Sequence, residues 1–186
     1  LEAMSAVRLL LPEDITVFSL DLSGSGKSEG EYITLGWYER DDVSAVVEYL
    51  RNTDTVATIG LWGRSMGAVT ALLHSDRDPS IAGIVADSPF SDLRKLAGQL
   101  AKKYTKMPGF MVSMGTKIIA KSVKNHANFD LDKVKPIDHV GEAFVPILFG
   151  HAEDDDFIVP AHTEELHEKY AGDKNYISFE GDHNST

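Results

Sequence analysis

The chain has 186 residues, a length that suits one domain around one buried core. Apolar residues make up 42% of it and charged residues 25%, the balance of an ordinary globular protein rather than a disordered one. Acidic residues outnumber Lys and Arg by 29 to 18, and a net charge of −11 repels phosphate backbones and anionic lipid, which counts against nucleic-acid and membrane-surface roles.

Taken in chain order, Ile15–Leu20 is β-branched and aromatic and is stopped by a Gly/Ser-rich turn, so it predicts a strand. Asp41–Leu50 sets Val43, Val46, Val47 and Leu50 on one helical face. Val56–Leu61 predicts a buried strand, Ala68–His74 a short helix, and Ile81–Ala86 a third strand closed by Asp87-Ser88-Pro89. From about 91 to 128 the alternation breaks, with two helices in succession, Leu93–Tyr104 and Phe110–Val123, divided by Met107-Pro108-Gly109. Val145–Phe149, Ala161–Tyr170 and Tyr176–Phe179 then predict strand, helix and strand. Strands alternating with helices imply an α/β fold: a mostly parallel sheet with helices on both faces. Residues 91–128 form a small helical cap inserted into that single domain. The apolar run of Met107, Phe110, Met111, Val112 and Met114 is expected to pack this cap on the sheet, with an acyl-chain surface as the alternative.

The chain has no cysteine, which removes disulfides, thiolate metal sites and a Cys nucleophile together. No stretch is apolar for long enough to span a bilayer, and Leu1-Glu2-Ala3-Met4 lacks the basic-then-apolar pattern of a signal segment. A soluble, cytoplasmic protein is the expectation.

Gly63-Arg64-Ser65-Met66-Gly67 has the form Gly-x-Ser-x-Gly, in which a serine sits on a sharp strand-to-helix turn with its hydroxyl exposed. The glycines let strand and helix backbones pass closely, and the N–H of the next residue, Met66, points to where an oxyanion would form. The pattern occurs a second time, at Gly26-Lys27-Ser28-Glu29-Gly30. Only Ser65 follows an apolar strand and opens a helix, so Ser65 is the candidate nucleophile.

A serine hydroxyl needs a base to take its proton and a carboxylate to hold that base. On such a sheet the chain order is Ser, acid, His, each in a loop after a strand. Of seven histidines, His183 stands just beyond the last predicted strand and is the candidate base. His74 ends a short helix and reads as structural, and His126 and His139 fall in polar connections. His162 and His167 read as the solvated face of a charged helix, and His151 as packing or support. The acid should follow Ile147–Phe149, where Glu153-Asp154-Asp155-Asp156 crowd together. Asp155 leads, then Asp156 and Asp154, with Asp87 an outside candidate.

Ser23-Gly24-Ser25-Gly26-Lys27-Ser28 invites a phosphate-binding reading, but Asp21 stands where a P-loop needs its first Gly, and Glu29 where a dinucleotide loop needs its third. His162 and His167 are not spaced i, i+4 as a helical zinc pair would be. Neither a metal nor an organic cofactor is implied.

Jointly, several segments carry a resemblance to a known family. These are Leu20-Asp21-Leu22-Ser23-Gly24-Ser25-Gly26-Lys27-Ser28-Glu29-Gly30, Gly60–Ala68, Asp87-Ser88-Pro89-Phe90-Ser91, Phe149–Ile158, Gly172–Asn175 and Gly181–Ser185. Together they resemble the α/β-hydrolase superfamily, in particular its Bem46-like branch, which is serine aminopeptidase-like or prolyl oligopeptidase-like. The resemblance singles out Asp155 as the acid. It implies a serine hydrolase acting by acyl transfer through Ser65, His183 and Asp155, with the Met66 N–H in the oxyanion hole. Carboxylic esters or thioesters of small acylated molecules are the expected substrates, with amide hydrolysis the enzymatic alternative. A non-catalytic binding protein of the same fold is the alternative of another class. In this family a His-Gly-containing loop after the third strand supplies a second oxyanion donor, and nothing in Leu1–Leu11 matches it. The expectation is therefore a portion of a longer protein, or other residues filling the gap in the sheet.

Overall fold

The computed structural model describes residues 3–105 and 108–185, so Met107 lies outside the described residues. The chain divides into two compact units, a first that runs to Ile33 and a second, Thr34–Ser185.

The first unit opens with helix α1 (Ala3–Leu10), which buries no residue, and a 3₁₀ turn, Leu11–Glu13. The strand expected at Ile15–Leu20 is not formed: these residues pair in no ladder, and Ile15, Phe18 and Leu20 are exposed. β-propensity favours extension, but a strand exists only where a neighbour pairs with it. The Gly/Ser-rich turn folds on Asp21, whose carboxylate accepts from Lys27 N at 2.9 Å while its carbonyl accepts from Ser28 Oγ at 2.6 Å. Gly26 has φ +57, and a Cβ there would strike the Asp21 carboxyl. The glycine is explained by this local packing.

The second unit is a β/α succession: α2 (Glu39–Arg51), β1 (Gly60–Arg64), α3 (Met66–His74), β2 (Gly83–Asp87), α4 (Leu93–Tyr104), α5 (Gly109–Ala127), α6 (Pro136–His139), β3 (Ile147–Ala152), α7 (Ala161–Lys169) and β4 (Lys174–Phe179). Among the described residues four strands pair in parallel in the order β1-β2-β3-β4. Register places Leu61 beside Ile84, Ile84 beside Ile147, and Phe149 beside Tyr176. Period-two alternation therefore sends Ile84, Ala86, Ile147 and Phe149 into one layer. That layer packs on Ala68, Ala71 and Leu72 of α3, Leu166 of α7 and Val47 of α2 to make the main core. The other sheet face carries Val85 and Leu148, half-buried, and Trp62 and Ile177, exposed. A second cluster joins Val69 and Leu73 of α3 to Phe90, Leu93, Leu96, Phe129 and Ile158.

Strand positions shift from the expected ones for identifiable reasons. Pro146 has no N–H to give a ladder, so β3 starts at Ile147, two residues later than expected. β1 begins at Gly60 rather than Val56 and is not fully buried, because among the described residues it is paired on one edge only. The inserted helices form where expected. However, among the described residues of the expected apolar run Phe110, Met111 and Met114 are exposed and Val112 is buried. Three of its residues thus do not pack on the sheet. Asp92 caps α4, accepting from Lys95 N at 3.0 Å.

Candidate active site

Ser65 links β1 to α3 with φ 51 and ψ −116, a conformation that non-glycine residues rarely adopt. Two backbone bonds hold it there: Ser65 N donates to Asp87 O at 2.8 Å, and Ser65 O accepts from Val69 N at 3.0 Å. A Cβ at Gly63 would lie 2.2 Å from the carbonyl of Gly67, so helix and strand touch at this point. The two glycines are not equivalent, since a Cβ on Gly67 would meet nothing within 4 Å. The Met66 N–H belongs to the first turn of α3, where amides have no intrahelical acceptor and are available to an anion.

His183 lies in the turn after β4. Asp182 braces that turn, accepting from Asn184 N at 2.9 Å, and the turn is anchored by Asp154 N donating to Gly181 O at 3.0 Å. The Arg64 guanidinium donates to the His183 carbonyl, and the Phe157 ring lies 5.0 Å from the imidazole, centroid to centroid. His183 Nε2 is 3.2 Å from Ser65 Oγ, and Nδ1 is 2.6 Å from Asp155 Oδ2. A carboxylate accepts, so the proton sits on Nδ1 and the Nε2 lone pair faces the serine hydroxyl.

Asp155 is buried, while Glu153, Asp154 and Asp156 are exposed. Its Oδ1 accepts from Phe157 N at 2.9 Å and Ile158 N at 2.8 Å. Its Oδ2 serves His183 and also lies 3.3 Å from His151 Nε2. His151 is itself fully buried, with Nε2 2.7 Å from Ile158 O and Nδ1 2.6 Å from Thr163 Oγ1. It thus packs directly against the Asp155 carboxylate. The other acids are engaged elsewhere: Asp156 with Lys103 at 2.5 Å, Glu153 with Ser178 at 2.9 Å, and Asp87 with Ser88 Oγ at 2.8 Å. Ser28 of the second Gly-x-Ser-x-Gly is tied to the Asp21 carbonyl.

Four histidine expectations are corrected. His162 is fully buried rather than solvated, and burial pushes its pKa down to about 4. Its Nδ1 accepts from Ser91 N at 3.2 Å and its Nε2 lies 2.6 Å from Gln99 Oε1. His167 stands edge-on to Phe149 at 5.9 Å, and burial lowers its pKa. His126 sits in the last turn of α5 and His139 ends the short α6, its Nδ1 2.6 Å from Asp76 Oδ2, so neither lies in a connection. His74 is buried at the end of α3 with its pKa lowered by burial, as a structural histidine would be. Sequence reasoning missed Ser91, Gln99 and the Arg64 contact. Arg64 occupies a position that the pattern leaves open, so no signal marked it.

An apolar cavity of about 180 Å³ opens on Ser65 and Met66, walled by Leu35, Leu96, Leu100 and Phe157 among others. A larger polar hollow of about 350 Å³ lies at the far end of α3, where Arg51 pairs with Asp78 at 2.7 Å and Arg77 with Asp41 at 2.6 Å. Among the described residues no three acidic or histidine side chains converge as metal ligands, and no helix is long and apolar enough to cross a membrane.

Comparison with known proteins agrees with this architecture. The family model described as serine aminopeptidase, S33, matches residues 4–132. The uncharacterized protein YqkD of Bacillus subtilis (strain 168) is 34% identical over 188 residues, spanning 98% of this chain and 60% of that protein. The α/β hydrolase domain-containing protein WAV2 of Arabidopsis thaliana is 27% identical over 172 residues, spanning 90% of this chain and 53% of its own length. The chain thus covers between about half and three fifths of these curated relatives. The solved Pyrococcus furiosus esterase Pf2001 superposes with a TM-score of 0.75 at 24% identity, covering 97% of this chain and 67% of that one, a likeness of fold.

Proposed function

The chain belongs to the serine aminopeptidase S33 family and has the α/β-hydrolase fold, and from that premise we propose that it is a serine hydrolase whose triad is Ser65, His183 and Asp155. The observation that carries this is the unbroken line from Ser65 Oγ through His183 to a buried carboxylate. As substrate binds, Ser65 Oγ attacks the carbonyl carbon while its proton passes to His183 Nε2. Asp155 holds the imidazolium by its Nδ1–H. The developing oxyanion accepts from Met66 N–H. His183 then protonates the leaving group, and water reverses the steps to release the acid and restore Ser65.

Esters or thioesters with an acyl chain are the substrate class we favour, because the cavity beside Ser65 is apolar. The family description raises amide hydrolysis as a second reading. An aminopeptidase must hold a substrate's free α-ammonium, and the residues lining this cavity include no carboxylate. Attachment of a fluorophosphonate probe to Ser65, and its loss in Ser65→Ala, is the expected result. Folded protein that takes up no probe would point instead to a non-catalytic binding protein.

A further inference from the structure

The turn Thr34-Leu35-Gly36 has a geometry that neither sheet nor helix requires. Leu35 lies in the left-handed region at φ 57, although leucine has no polar group to offset the strain, and Gly36 follows at φ 115. Glu39 holds both. Its carboxylate is wholly buried and accepts from Thr34 N at 2.6 Å, Thr34 Oγ1 at 2.5 Å and Gly36 N at 2.9 Å. Tyr38 N in turn donates to Thr34 Oγ1 at 2.8 Å. From below, Gly36 sits so close to α3 that a Cβ would come within 2.9 Å of Val69 and 3.1 Å of Leu73. A buried carboxylate is costly unless its hydrogen bonds are complete. Here every bond it makes fixes one turn, and the residue at the centre of that turn lines the cavity that opens on Ser65.

We propose that Leu35 closes this cavity as a size-limited acyl pocket, with Glu39 as the positioning residue that keeps Leu35 in place. The inference rests on Ser65 being the nucleophile. An apolar cavity of about 150 Å³ holds one benzene ring, so about 180 Å³ admits an acyl chain of roughly six carbons. Each methylene that fits raises kcat/KM by about fourfold, and those beyond the limit gain nothing and must displace Leu35 or the α4 leucines. Leu35 is the wall most open to change, because glycine tolerates its backbone conformation without strain.

The test uses p-nitrophenyl esters from acetate to dodecanoate, with fluorophosphonate labelling and melting temperatures measured alongside. Wild-type protein should rise to an optimum near butanoate to hexanoate and fall at least tenfold by decanoate. Leu35→Gly should raise the decanoate-to-hexanoate ratio of kcat/KM at least tenfold, with no fall in melting temperature. Whichever way its amide is turned, Glu39→Gln sets an N–H₂ against a backbone N–H, of Thr34 or of Gly36, that can only donate, so it should broaden the profile in the same direction and still label at Ser65. An unchanged profile in Leu35→Gly overturns the proposal and leaves the hydrolase reading intact. A Glu39→Gln variant slower on every ester by the same factor removes the positioning role from Glu39. If no ester is hydrolysed and Ser65 does not label, the reading of the site fails and the pocket assignment with it.

Discussion

His162 gives a prediction about stability that is independent of catalysis. Its ring is fully buried between α4 and α7, and its Nδ1 faces two groups of Ser91, N at 3.2 Å and Oγ at 2.9 Å. Because a backbone N–H can only donate, Nδ1 must be the acceptor, and Nε2–H donates to Gln99 Oε1. Protonating Nδ1 would set N–H against N–H. Burial is the main cause of the low pKa, nearby Lys95 adds to it, and Glu165 opposes it. A fall from 6.5 to about 4 amounts to about 3 kcal/mol at roughly 1.4 kcal/mol per pH unit. The sign follows from which state takes the proton. Above pH 6.5 both states are neutral at this site and its contribution is whole. As pH falls from 6.5 towards 4 the unfolded chain protonates and the folded one does not, so stability is lost. Urea midpoints at pH 7.5 and 4.5 for wild type and His162→Asn measure this directly. Wild type should lose about 2–3 kcal/mol more than the variant over that interval, on the order of 6–10 °C in melting temperature. His74, also lowered by burial, is present in both proteins and cancels. Parallel stability curves for the two would refute the reasoning.

Asp155→Asn should cut turnover about 10⁴-fold by freeing the His183 tautomer, while Asp156→Asn, which loses only its exposed contact with Lys103, should keep kcat/KM close to wild type. The reverse ranking would move the acid to Asp156. Gly63→Ala should cost more than about 3 kcal/mol in urea denaturation, because its Cβ meets backbone that cannot yield. Gly67→Ala meets open space and replaces a helical glycine, so it should stabilise by up to about 1 kcal/mol. Equal costs for the two would show that the contact at Gly63 is not the constraint.

The residues brought together at Ser65 were legible because chemistry restricts their types and the fold restricts their order. A nucleophile, an acid and a base each need a particular side chain, and a Gly-x-Ser-x-Gly that opens a helix differs from one that does not. Strand ends were less legible, since register is decided between strands: Gly60 pairs with Gly83, and Pro146 delays β3. Ile15–Leu20 shows the same limit, as propensity specifies extension but not a partner. The burial of His162 could have been read. It lies four and eight residues before Leu166 and Tyr170, both buried, so helical periodicity puts it on the core face. Charge in the neighbouring positions concealed that. Leu35 could not have been found, because no pattern in Thr34–Glu39 announces a left-handed leucine.

What the parallel sheet contributes is one loop per strand at a shared edge. Ser65 follows β1, Asp155 follows β3 and His183 follows β4, so groups separated by 90 and 28 positions meet within hydrogen-bond distance. β2 supplies no member of this set, yet it is needed. Asp87 at its end accepts from Ser65 N, and Ser88, also left-handed at φ 50, donates its N–H to Gly150 O at 2.9 Å. The strained serine at the end of β1 is thus clamped through β2 to the strand that leads to Asp155. Strain at Ser65 alone would relax by shifting the turn. Strain held by the neighbouring strand cannot relax without breaking ladder bonds, which is how the half-buried Ser65 hydroxyl can keep a fixed direction.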